Sequence, residues 1–144
     1  MNTSARFIWP SVLLAVCGFA IAAEHESLPL VRIMASPAQF DKKLLTASGV
    51  LGQDTDARWM LFLDCDSARA KATQNAVLLR SGTKLAETLS SNSMSYVLAS
   101  GEFSAGDQAR LNVSGEIALD AIRPYPLLRE LSPADKDMNI RCNR

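Results

Sequence analysis

The chain has 144 residues, 48% of them hydrophobic and 21% charged, with only 7 Gly and 6 Pro. That is room for one small globular domain with a real core, and it excludes two domains, a disordered polar chain and a collagen-like repeat. The 15 Lys and Arg are matched by 15 Asp and Glu, whereas a generic polyanion binder is normally basic, so no nucleic acid is expected as a partner.

The first residues have the layout of a secretory signal peptide: a positive Arg6, an apolar run from Phe7 to Ala23, and Ala20, Ile21 and Ala22 in A-x-A order. The expected division is 1–22 signal peptide, 23–129 folded domain and 130–144 C-terminal tail. A membrane anchor would use the same run, but the run is short for a bilayer and contains Pro10 and Gly18. A lipoprotein would use Leu14, Ala15, Val16 and Cys17, where Val is a poor residue before a lipidated Cys. Cleavage after Ala22 predicts a periplasmic protein with no membrane span after processing.

Loss of the leader removes Cys17 and leaves Cys65 and Cys142, an even number in a chain bound for an oxidising compartment. Either they form a disulfide across 77 positions, or Cys65 is a small buried hydrophobe and Cys142 a free thiol in the tail. A cysteine catalyst is not expected, since there is no CxxC pair and no His nearby.

In chain order, Ser27 can cap a helix with Pro29 in its first turn, and Leu30, Ile33 and Met34 form its apolar stripe. Pro37 ends that helix, and a turn over Ala38 to Lys43 follows, with Phe40 as its buried anchor. From Leu44 the period becomes two: Leu45, Ala47, Gly49 and Leu51 share one side of a strand, and Gly49 suggests a bend. Gly52 to Ala57 is turn chemistry. A second strand spans Arg58 to Asp64, Asp66 or Ser67 caps a short helix through Lys71, and a third strand spans Asn75 to Arg80. Thr83 to Leu89 has helical spacing. Tyr96 to Phe103 alternates again, and a last strand runs from Arg110 to Ile122. A bulge near Gly115 would let Leu111, Val113, Ile117 and Leu119 all face the core.

This order, β-β-β-α-β-β preceded by an N-terminal helix, predicts an all-β fold with short helices, a five-stranded OB-type barrel. The alternative is a small open β-sheet with helices on one face. The marks Pro37, Phe40, Asp41 and Lys43, then Ser48 to Leu51, then Tyr96, Val97, Gly101 and Phe103, then Gly115, Ile117 and Ile122 resemble those of small secreted Gram-negative OB-fold proteins of largely unassigned function. The resemblance spans roughly residues 28 to 123 and implies the fold, with no catalytic residue carried over. In such proteins a Gly often precedes the Lys of the turn; here Lys42 takes that place.

With His25 as the only histidine, a hydrolase triad is excluded. Asp54 with Asp56, and Asp64 with Asp66, each skip one residue, so in extended backbone their carboxylates project to the same side and could share a cation. Turn and cap roles are the ordinary use of such residues. Asn112-Val113-Ser114 matches a glycosylation sequon, read here as part of a strand. Cleavage after Ala22 would give Ala23, Glu24 and His25 a free amine, two amides and an imidazole, a square-planar set for Cu(II) or Ni(II). The expectation is a non-catalytic periplasmic binding module, monomeric or weakly dimeric, with an envelope protein, peptide or glycan as ligand and no cofactor. Candidate contacts are Arg58, Trp59, Arg80 and Tyr96, on or beside the second and third strands. The competing readings are a metal protein or metal-dependent enzyme built on the Asp pairs, and a single-stranded nucleic-acid binder with the aromatics stacking bases.

Overall fold

A computed structural model of the chain describes residues 27–106, 112–126 and 142. The expected signal peptide, the Ala23-Glu24-His25 segment, Arg110, Leu111 and the 130–144 tail apart from Cys142 lie outside the described residues.

The chain enters as a two-residue strand, β1 (Leu28–Pro29), parallel to Ala47 and Ser48. Helix α1 (Leu30–Ala35) follows directly, with Pro29 as its cap residue at φ −59°. Ser27, expected in that role, lies before β1; the proline's fixed φ starts the helix without a side-chain cap. Leu30 and Ile33 fall on the buried face, while Val31 points away and is 55% exposed. Pro37 opens a single helical turn, α2 (Pro37–Phe40), where a plain turn was expected, and Phe40 packs half-buried against the core. Lys42 sits at φ 60°, a left-handed conformation natural to glycine, and its N–H donates to the Phe103 carbonyl at 2.8 Å.

The remaining elements are β2 (Lys43–Gln53), β3 (Trp59–Phe62), α3 (Cys65–Arg69), β4 (Ala76–Arg80), α4 (Ala86–Ser91), β5 (Tyr96–Ser104) and β6 (Glu116–Pro124), with 3-10 turns before β4 and α4. Antiparallel pairings join β2 to β3, β3 to β4, β5 to β6 and β2 to β5, and β4 runs parallel to β6. The ladder therefore runs β2, β3, β4, β6, β5 and back to β2. The result is a mostly β molecule with few short helices, built on a closed five-stranded barrel. Closure suits so short a chain because it removes open sheet edges.

Strand β2 is long because it serves two neighbours: Lys43 to Val50 pair with β5 and Val50 to Gln53 with β3. Gly49 lies at the changeover, where a Cβ would stand 2.7 Å from the Phe62 carbonyl oxygen and 2.8 Å from Leu61 Cγ. The absence of a side chain is what lets β3 close onto β2.

The bulge expected near Gly115 lies elsewhere. Gly115 precedes β6, and the register shift falls opposite Ser100 and Gly101, where Ala121 and Leu119 are the successive partners and Asp120 is skipped. That extra residue moves the inward set from odd to even positions, so Ile117, Leu119 and Ile122 all reach the interior. Upstream, Asn112 adopts φ 51° in a bend, not the strand expected around the sequon. Val113 is thereby directed to the outside of the wall rather than joining Ile117 and Leu119.

Apolar residues bury on both sides of the barrel wall. Inside lie Leu45, Ala47 and Leu51 of β2, Leu61 of β3, Val77 and Leu79 of β4, and Phe103 of β5, joined by Leu30 and Ile33 of α1 and Leu89 of α4. Outside, Val50, Met60, Phe62 and Ala76 form a second cluster beneath Ala68 of α3, Val113 and Cys142. Burial of both faces explains why β3 is a continuous apolar run rather than an alternating one. A disulfide joins Cys65 to Cys142, with Cα atoms 5.3 Å apart. The Cys142 N–H donates to the Met94 carbonyl at 2.8 Å, and Arg69 Nη2 donates to the Cys142 carbonyl at 2.9 Å. Among the described residues, no helix is long and apolar enough to cross a membrane.

Candidate functional site

The four candidate contacts do not come together. Trp59 packs half-buried against the interior cluster, and Tyr96 packs on the outer one. Alternation decides this: Trp59 is in phase with Leu61, and Tyr96 pairs with outward Val50. Arg58 lies in the turn between β2 and β3, and Arg80 ends β4 with Nη2 2.8 Å from Glu116 Oε2. The outer face of β3 and β4, which the second-and-third-strand reading would have used, is covered by α3, Val113 and Cys142.

Asp54 and Asp56 do share a cation, and it is a guanidinium. Arg58 Nη2 stands 2.6 Å from Asp54 Oδ2 and 3.0 Å from Asp56 Oδ2, and Arg58 Nε donates to Asp54 Oδ2 at 2.7 Å. Asp54 Oδ1 accepts the backbone N–H groups of Asp56 and Arg58, both at 2.9 Å. Burial alone would push the Asp54 carboxyl up, but the hydrogen bonds from Arg58 and Asp56 and the guanidinium charge outweigh it and hold it below the usual carboxylate range. The carboxylate thus closes the turn around itself, with its strong acceptor directions taken.

In the second pair the roles separate. Asp64 caps α3, accepting the Ser67 N–H at 2.7 Å, and that bond holds its carboxyl below the usual value. The cap lies two residues before Asp66 and three before Ser67, the expected caps, because the helix already begins at Cys65. Asp66 faces outward and pairs with Arg69 at 3.0 Å. Among the described residues, no three His, Cys, Asp or Glu side chains are grouped to hold a metal ion.

Among the described residues, a groove of about 340 Å³ lies where the β1–α1 junction meets the ends of β3, β5 and β6. That volume is at the small end of the range of about 300–1,000 Å³ typical of ligand pockets. One wall is Pro29, Leu30 and Val31; the floor includes Ser48 and Gly49. Leu63, Tyr96 and Tyr125 form the other side. The two tyrosines are held together by the backbone: the Tyr125 N–H donates to the Tyr96 carbonyl at 3.1 Å. Tyr125 is 39% exposed and Val31 55%, so apolar surface lies open at the rim.

Of the four candidates, only Tyr96 lines this groove. Tyr125 was missed because Pro124 and Pro126 read as strand terminators; an aromatic set between two prolines at a strand end was the available signal. Val31 was passed over for lying off the apolar stripe of its helix. Comparison with known proteins gives no match, either to a protein-family model or to a curated protein.

Proposed function

We propose that the chain is an exported, non-catalytic binding module on an OB-type barrel preceded by an N-terminal helix, and that it takes its ligand in the Tyr96–Tyr125 groove. The strand order, with β4 parallel to β6 and helix α4 between β4 and β5, supports the OB reading. The leader-like N-terminus and the disulfide support a periplasmic setting. The groove carries the functional reading: an open cleft with two tyrosine rings and aliphatic walls is built to hold a ligand. Among the described residues, its lining is two tyrosines, a serine, a glycine and aliphatic side chains, a surface suited to binding.

The envelope protein, peptide or glycan expected as ligand is best sought by position-specific photocrosslinking in living Gram-negative cells. A photoreactive residue at Tyr125 should give discrete crosslinked products in the periplasmic fraction, and one at Leu44, exposed on a different part of the wall, should not. Identical product patterns from both positions, or none from Tyr125, would count against the groove as the binding surface.

A further inference from the structure

We propose that Asn112 is the acceptor of an N-linked glycan, attached to the chain on export. This inference rests on the exported setting of the reading above and is independent of the groove. Asn112, Val113 and Ser114 form an Asn-X-Ser sequon with a residue other than proline in the middle. Such a sequon is used where its asparagine is presented at the surface, in a loop or bend rather than within a strand. The three residues lie in a bend ahead of β6, and Asn112 is exposed. Its φ of 51° is left-handed, a conformation that asparagine accepts more readily than most residues with side chains. Val113 is buried in the outer cluster, and the Ser114 N–H donates to the Ala76 carbonyl of β4 at 3.2 Å, a bond that any residue but proline supplies. The bend is thus anchored through its second and third residues, and its first is held out to solvent.

Transfer draws on a donor and an enzyme outside this chain: an oligosaccharide carried on a lipid pyrophosphate, and a membrane oligosaccharyltransferase. The side-chain amide nitrogen of Asn112 bonds to the anomeric carbon of the sugar, and the bond from that carbon to the pyrophosphate oxygen breaks. The lipid pyrophosphate leaves with the electron pair, and the amide gives up one proton to the enzyme's base. No oxidant or reductant enters. The product carries a bulky, solubilising group at the end of the wall where Val113 closes the outer apolar cluster. Tyr125 lies beyond the other end of β6, whose 9 residues at roughly 3.3 Å each span about 30 Å. A glycan on Asn112 and a ligand in the groove are therefore compatible.

The test is glycopeptide mass spectrometry on the full chain isolated from the cells that encode it, and on Asn112→Gln, Ser114→Ala and Ser114→Thr made in the same cells. Trypsin, which spares the Arg123–Pro124 bond, releases residues 111–129 as one peptide in which Asn112 is the sole asparagine. The wild-type peptide should carry added sugar mass, with fragment ions that place it on Asn112. Asn112→Gln and Ser114→Ala should lose that mass, and Ser114→Thr, which keeps the sequon, should retain it. Thermal melting shows which variants fold; should Asn112→Gln fail to fold, Ser114→Ala against Ser114→Thr carries the comparison. An unmodified peptide from exported wild-type chain overturns the proposal and leaves the export reading standing. Sugar that persists in Ser114→Ala also overturns it, because the sequon's hydroxyl is then not being read. A chain found only in the cytoplasm with residues 1–22 still attached overturns both the glycan and the export reading. The groove is decided separately, by the crosslinking experiment.

Discussion

Asp54 shows how one side chain can fix a connection. Its carboxylate is buried, accepts two backbone N–H groups and meets the Arg58 guanidinium, so the turn from β2 to β3 is organised around it. Asp54→Ala strips those donors of their acceptor and is expected to destabilise by about 2 kcal/mol. Asp56→Ala removes only the 68%-exposed partner of Arg58 and should shift stability by no more than about 0.5 kcal/mol. Chemical denaturation of the two variants gives the comparison, and equal losses would contradict it. The pH dependence has a definite sign. Asp54 and Asp64 titrate lower in the folded chain than unfolded. Their contribution is therefore complete above the unfolded value of about 3.9 and is lost as pH falls through the lower folded values. The acid-unfolding profile should be flatter below about pH 4 in Asp54→Asn than in the wild type; a profile of unchanged slope would show that this carboxylate does not carry the linkage.

At the scale of elements, Gly49 and Asp64 make opposite tests. A methyl group at Gly49 runs into the Phe62 carbonyl and Leu61, so Gly49→Ala should cost about 1–3 kcal/mol by forcing β3 away from β2. Asp64→Ala removes a cap from a helix on the barrel's outside and should cost about 1 kcal/mol; thermal melts order the two. Much of this level was legible in the sequence, because period-two alternation in Leu45, Ala47 and Leu51, and in Val97, Ala99 and Phe103, is a direct image of a wall with one buried face. The bulge was misplaced because glycine near a strand suggests irregularity without saying which neighbouring residue is skipped. Asp120 carries no such sign, and only the pairing of Ser100 with Ala121 and Gly101 with Leu119 reveals it. The groove was the least legible feature: Val31, Ser48 and Tyr96 belong to three elements and Tyr125 follows a fourth, and no local pattern reports that closure of the barrel brings them together.

For the whole molecule, the disulfide ties Cys142 to α3 and so keeps it over Val50, Met60 and Phe62, the apolar outer face of the barrel. Closing 77 positions stabilises by roughly 4 kcal/mol in the loop-entropy picture. Cys142→Ser, or reductant in the wild type, should lower the melting temperature and raise the binding of a hydrophobic dye; melting and dye signals insensitive to reductant would contradict this role. Among the described residues, the apolar outer face of β3 is covered while Val31 and Tyr125 leave apolar surface open at the groove. Hydroxyl-radical footprinting of the oxidised, mature chain tests this division most directly, because it reads accessibility side chain by side chain without requiring a ligand. Tyr125 and Val31 should be modified readily, and Met60 and Phe62 should be protected despite the intrinsic reactivity of methionine. Modification of Met60 and Phe62 as fast as that of Tyr125 would show that the outer face of β3 is open and would contradict this division.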